Sequence, residues 1–169
     1  MRPPLPTWTD EQFDALCWHD CHVYGWSIVE GEHGTATLAL DLDFIVAGAP
    51  RGDGMPNFRV APATLTFLEV SRLRFEVDYG EFGMFPFSID GICRERRGGA
   101  ADDRFRWTIK VNCPSGSLVF DGAGFRQTLR AEPVACEGLA LGSARRRALL
   151  DADERGPGSD GRARDDGPR

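Results

Sequence analysis

From Val23 onward the apolar residues recur at every second position, the spacing of strands with one face in a core and one face wetter. Leu38, Leu40, Leu42 and Phe44 alternate with Thr37, Ala39, Asp41 and Asp43. Leu73, Phe75 and Val77 alternate with Arg72, Arg74, Glu76 and Asp78, and Phe105, Trp107, Ile109 and Val111 with Arg104, Arg106, Thr108 and Lys110. The run Val23–Val29 reads as the hairpin partner of 37–44 through Glu30-Gly31-Glu32-His33-Gly34, where the glycines supply the positive φ that such a turn uses. Further strands are expected over Thr64–Leu68 and over 89–97, the latter ending at Gly98-Gly99. A last hairpin joins 104–112 to 117–121 through Pro114-Ser115-Gly116, and Phe125, Gln127 and Leu129 continue an edge strand.

The pattern breaks in four places. Thr9-Asp10-Glu11-Gln12 has capping-box spacing, so a short helix over about 10–17 is expected, with Phe13 and Leu16 on one face and Trp8 folded over its start as a lid on the sheet. Residues 46–57 read as a loop by their Gly, Ala and Pro content, and 79–87 as an aromatic loop. Gly122 and Gly124 read as a β-bulge or corner. Past residue 142 the chain turns to Arg, Asp, Gly and Pro with too few apolar residues to offset ordering entropy. The expected fold is therefore mainly β: an antiparallel β-sandwich or open barrel of about seven or eight strands, with one short N-terminal helix and a disordered C-terminal tail. Residues 1–142 form a single β-rich domain and 143–169 the tail; nothing reads as a βαβ unit.

Composition narrows the function classes. A chain of 169 residues with 41% hydrophobic content builds one ordinary domain. A formal charge of −6 argues against nucleic-acid binding, which needs a basic surface. No apolar run approaches the ~20 residues of a membrane span, and the N-terminus has no apolar signal-peptide core, so a cytoplasmic protein without membrane contact is expected. The charge is unevenly spread. Residues 1–45 carry eight acids against Arg2, whereas 89–130 carry eight basic residues against five acids, so the two halves can attract one another or a partner. Five cysteines, an odd number, fit reduced thiols better than a disulfide framework.

Reactive side chains are densest at Cys17-Trp18-His19-Asp20-Cys21-His22. Thiolates and imidazoles are zinc ligands, but a structural site needs a second, distant ligand pair that the sequence lacks, so no metal is expected; were one held, Cys17, His19, Cys21 and His22 would be its ligands. A packed junction, with His19 and Asp20 capping the helix end, accounts for the same residues. Asp41 and Asp43 share a strand face and, with His19, Asp20 and His22, form the candidate functional cluster for acid-base or cation chemistry; a solvated strand face is the competing reading. Phe82, Met84, Phe85 and Phe87 are the candidate partner-binding residues, since aromatics and Met concentrate at interfaces, although such a loop can also close the end of a sheet. No cofactor fingerprint is discernible, and Arg51-Gly52-Asp53 is read as chance.

The step Trp18-His19-Asp20 ahead of the first strands, with the block Phe58–Phe67, resembles small uncharacterised bacterial β-rich domains, some of them similar to immunity proteins of polymorphic toxin systems. The resemblance covers roughly 13–130. It implies a binding role and carries over no catalytic residue. The function expected is a non-enzymatic cytosolic protein-binding domain, immunity-like, acting on a protein partner or by self-association. The alternative is a metal-binding protein or hydrolase using the His19-Asp20 region with the strand carboxylates.

Overall fold

The computed structural model describes residues 4–50, 56–80, 83, 86–98 and 103–155. Along the chain the elements are β1 (Thr7–Thr9), a 3-10 helix (Asp10–Ala15), β2 (His22–Glu30), β3 (Ala36–Pro50), β4 (Pro56–Asp78), β5 (Phe87–Arg96), β6 (Phe105–Cys113), β7 (Ser115–Gly122), β8 (Gly124–Leu129), β9 (Val134–Cys136) and α1 (Ser143–Arg155). Every strand pairing is antiparallel, as the alternating pattern requires of a chain without crossover helices. The hydrogen-bonded order is β1-β8-β4-β3-β2-β5-β6-β7, and β7 also pairs with β4, so the ladder of six strands from β4 through β3, β2, β5, β6 and β7 returns to β4.

β4 organises the rest. Its 23 residues span the two strands expected at Thr64–Leu68 and 72–78, which the structure joins into one. Up to Leu68 it lies between β3 and β8; from Ser71 it lies along β7. The change of partner falls at Glu69 and Arg72, both with left-handed backbone (φ 50° and 54°) although neither is glycine. Ala123 N–H donates to the Leu68 carbonyl at 2.9 Å where β7 passes into β8, so the expected Gly122–Gly124 corner is the companion of this bend. Gly116 is required by the same crossing: a Cβ there would lie 2.3 Å from the Glu76 carbonyl oxygen.

Three expectations from composition are corrected. The loop over 46–57 is largely strand: β3 runs on to Pro50 and pairs with the start of β4, Gly48 opposite Phe58 and Pro50 opposite Pro56, leaving 51–55 outside the described residues. Gly and Pro marked the hairpin's end and hid the pairing before it. The N-terminal helix is a 3-10 helix of six residues, and the single α-helix among the described residues is C-terminal. The Gln12 side chain still accepts the Thr9 N–H at 2.9 Å, and Phe13 packs as the expected lid on Trp18, Trp107 and Phe125, with ring centroids 5.5–5.9 Å apart. The tail expected from residue 143 begins with α1, whose Arg146 is buried and whose Leu149 packs beside Val60, Cys136 and Leu141; residues 156–169 lie outside the described residues. Smaller differences concern edges and turns. β8 is flanked by β4 and β1 and is not an edge, and the last hairpin turns at Cys113-Pro114, with Asn112 opposite Ser115.

The core lies on the face the alternation named. Leu38, Leu40, Leu42, Leu65, Phe67, Ile109, Leu118, Phe120 and Phe125 are all but inaccessible, and Trp107 is fully buried at their centre. Its ring meets Phe67 edge-on at 5.1 Å and stacks on Phe120 at 6.5 Å, while Nε1 donates to the Gly122 carbonyl at 3.3 Å. Part of the charge asymmetry is spent inside the chain. Arg94 donates to Asp10 at 2.7 Å and Arg130 to Asp41 at 3.2 Å, each joining the basic segment to the acidic one. Replacing Trp107 with Ala removes the central ring and strands a cavity; equilibrium unfolding in urea should show a loss of roughly 3–5 kcal/mol, and native stability in that variant would place the ring outside the core.

Candidate functional site

The Trp18-His19-Asp20 step is a tight turn, neither helix nor strand. Cys21 N–H donates to the Trp18 carbonyl at 3.0 Å, and Asp20 takes a left-handed φ of 64°, which a short polar side chain tolerates. The turn is stitched to β5 by Asp20 N–H to the Ile89 carbonyl (2.8 Å) and Ile89 N–H to the Cys21 carbonyl (3.0 Å). This geometry divides the cluster. Trp18 goes inward and donates from Nε1 to Oε1 of the buried Gln127 at 2.6 Å. His19 goes outward, with Nδ1 2.9 Å from Asp20 Oδ2 and Nε2 3.7 Å from Asp90 Oδ1, while Asn112 Nδ2 donates to Asp20 Oδ1 at 3.4 Å. The His22 ring lies 3.1 Å from the Asp20 carbonyl. Both His19 nitrogens thus face carboxylates, on a side chain that is 56% exposed.

The cysteines separate in the same way. Cys17 is exposed and Cys21 is wholly buried, and burial pushes the Cys21 thiol up to about 12 against a smaller opposing effect of its hydrogen bond with the Ile45 backbone. A thiol held protonated is a poor nucleophile at neutral pH. Among the described residues no group of three or more His, Cys, Asp or Glu is placed to hold a metal ion.

Asp41 and Asp43 do share a face of β3, the one opposite the core, but the chain from 130 to 146 covers it. Asp43 is fully buried. Its Oδ2 accepts the Tyr24 hydroxyl at 3.0 Å and the Leu141 N–H at 2.8 Å, and its Oδ1 lies 3.1 Å from Arg146 Nε. Asp41 Oδ1 accepts from Arg130 Nη1 at 3.2 Å and from Arg146 Nη2. The Arg146 guanidinium sits over the Tyr24 ring, 4.7 Å from its centroid. Burial, together with the charge and hydrogen bond of Asp43, raises the Tyr24 hydroxyl to about 12. These carboxylates hold α1 on the sheet. His22 is the register partner of Asp43 but turns its ring to Asp20, so the five residues of the candidate cluster form two separate arrangements rather than one.

Of the candidate binding aromatics, Phe87 is buried at the start of β5, and Phe82, Met84 and Phe85 lie outside the described residues. An apolar surface that the sequence did not single out lies beside Phe87. Trp26 pairs opposite Leu40, Ile28 opposite Leu38 and Phe75 opposite Leu118, so all three point to the core side of their strands. Yet they are 51%, 50% and 38% exposed. The Trp26 and Phe75 rings meet at 5.3 Å, and Phe75 meets Phe87 edge-on at 6.2 Å. A cavity of about 340 Å³ opens beside them between Gly25, Trp26, Tyr79, Pro86 and Phe87. β2 pairs with β5 only at His22 and Val23, so among the described residues Tyr24–Glu30 has no strand on its second edge, and no charged residue stands between Val23 and Val29. Trp26 and Ile28 lie opposite the buried Leu40 and Leu38, yet about half of each stays exposed among the described residues, which local spacing does not encode.

Comparison with families of known proteins, with curated proteins and with solved structures finds no match.

Two outcomes follow from the geometry. Arg146→Ala leaves Asp43 buried without its cation and should lower unfolding stability by roughly 3–5 kcal/mol, with loss of the α1 contribution to the far-UV circular dichroism; a melting curve unchanged from wild type would mean α1 is not clamped by these charges. Brief alkylation of the native protein should modify Cys17 well before Cys21, read by peptide mass spectrometry, and equal labelling would contradict the buried, protonated thiol.

Proposed function

We propose that the chain is a non-enzymatic, cytosolic protein-binding domain whose contact surface is the Trp26, Ile28 and Phe75 face together with the open edge of β2. The observation that carries this reading is an apolar, aromatic surface on the core side of the sheet that stays half-exposed among the described residues. Burying such area is favourable by ~25 cal/mol per Å². Contiguous exposed patches of this kind mark interaction sites, and Trp anchors contribute heavily to binding energy. Past the bulge between Val23 and Gly25, the open edge of β2 carries no charge or proline from Trp26 to Val29 and offers backbone donors and acceptors for an added strand. The hydrolase and metal alternatives draw less support: both His19 nitrogens face carboxylates, and Asp41 and Asp43 are engaged with Arg130 and Arg146.

The resemblance of residues 13–130 to immunity proteins gives the class of partner, a toxin protein. The ring of pairings through β4 favours the open-barrel form of the fold, with this face at its gap. Self-association is the second reading, favoured by the uncharged β2 edge, which would pair with itself in a second copy.

The double variant Trp26→Ser, Phe75→Ser tests the surface. Because Trp26 is half-exposed and Phe75 more than a third exposed, its melting midpoint should stay within a few degrees of wild type. Affinity chromatography on the wild type, with the toxin candidate encoded beside it as bait partner, should give a complex that the variant loses. Light scattering of the purified protein separates the two readings, a monomer supporting a foreign partner and a dimer dispersed by the variant supporting self-association. A wild type that is monomeric and partnerless, or a variant that binds as well as wild type, would overturn the proposal.

A further inference from the structure

A second built feature stands at the bend of β4, apart from the proposed protein-binding face. Asp121, at the end of β7, has a carboxylate only 8% exposed, and three guanidinium groups converge on it. Arg106 Nε donates to Oδ1 at 2.7 Å; Arg97 donates from Nε to Oδ1 at 3.2 Å and from Nη2 to Oδ2 at 3.1 Å; Arg72 Nη1 lies 3.7 Å from Oδ2. Arg104 joins from β6's start, donating from Nη2 to Ser71 Oγ at 3.0 Å and to the Glu69 carbonyl at 2.7 Å, with its Nη1 3.8 Å from the Glu69 carboxylate. A cavity of about 400 Å³ opens among Ser71, Arg72, Arg97, Gly98, Arg104 and Asp121.

Fold stability does not account for this arrangement. One carboxylate offers about four lone-pair positions, and each guanidinium carries five N–H donors. One bidentate arginine with Arg106 beside it already satisfies Asp121. Burial by itself would raise the Asp121 carboxyl, but the hydrogen bonds and charges of Arg106 and Arg97 outweigh it and hold the group below the ordinary carboxylate value. Arg72 adds little to that: it is 73% exposed, and its contact is long. The bend of β4 requires the left-handed backbone at position 72, which glycine would adopt freely, yet the chain places an arginine there. Among the described residues, four guanidinium groups here meet the two carboxylates of Asp121 and Glu69, a surplus of two positive charges in a protein of formal charge −6.

We propose that this corner is a binding site for a phosphate-type oxyanion, with Arg72 and Arg97 as its principal ligands and Ser71 beside them. A dianion matches the surplus charge; Arg72 offers it a guanidinium fork, and Arg97 offers the N–H groups that its pair with Asp121 leaves over. The cavity takes the phosphate group either as the free ion or as the head of a small phosphomonoester, within the size range of small-ligand pockets.

Isothermal titration in low-salt buffer with inorganic phosphate, and separately with phenyl phosphate, tests the site on the full-length protein and on Arg72→Gly. Glycine at this position removes the guanidinium and relieves the backbone, so the variant should melt at or near the wild-type midpoint while binding at least tenfold more weakly. Binding of both probes with similar affinity identifies the free ion as sufficient; tighter binding of phenyl phosphate identifies a phosphomonoester. No heat from either probe up to millimolar concentration sinks the proposal. So does equal affinity in Arg72→Gly, and so does a variant that binds nothing because it melts far below wild type, since Arg72 would then be a structural strut. Retention of single-stranded RNA or an acidic peptide without phosphate binding would likewise replace it.

Discussion

Every amide buried in a sheet must find a carbonyl, and in this chain that requirement falls most heavily on β4. It is too long to keep one pair of neighbours. It gives one stretch of backbone to β3 and β8, a short stretch to β9, and its last residues to β7. The hand-over cannot be gradual, because a strand that loses β8 without gaining β7 leaves a row of donors unmet. The bend at Glu69–Arg72, the corner at Gly122–Gly124 and the bare Gly116 under the Glu76 carbonyl are the local forms of that one constraint. Once β4 is bent, the positions of β3 and β7 follow, and with them the closing path through β2, β5 and β6.

How much of this the residues announce depends on the range of the interaction. The alternation at 38–44 and 105–111 reports its inward side directly, since a period of two with one buried face has a single sensible register. Where the pattern failed, a distant partner had decided the outcome. Residues 46–50 look like loop because Gly and Ala carry no strand preference, yet β4 supplies the pairing. Residues 143–155 look like solvated tail because Arg146 is a charged residue in a charged stretch, yet Asp43, about a hundred positions earlier and fully buried, waits for that charge. An isolated helix of thirteen residues is marginal in water, so α1 depends on the sheet for its existence.

The same distinction holds for the sites. That Asp41 and Asp43 share a face was readable from a spacing of two; that the face is covered was not. His19 and Asp20 are neighbours in sequence and remain in contact, whereas Cys17 and Cys21 are parted by a turn that neither helical nor extended spacing describes. The arginines around Asp121 come from β4, from the segment following β5 and from β6, so their convergence is a property of the ring and of no single segment.

The seam between β2 and β5 is the shortest in the ring, two residue pairs extended by the two backbone bonds between the 20–21 turn and Ile89. Thermal opening of the ring of pairings begins where the fewest bonds break together, and at this seam that is a few bonds wide. Amide protons along β5 and the start of β2 would then exchange with solvent through a small sub-global opening, on a faster clock than those of β4, whose release demands that several ladders part at once. The molecule is in this sense a hoop with a clasp: rigid along its spine, and able to widen at one point without unfolding.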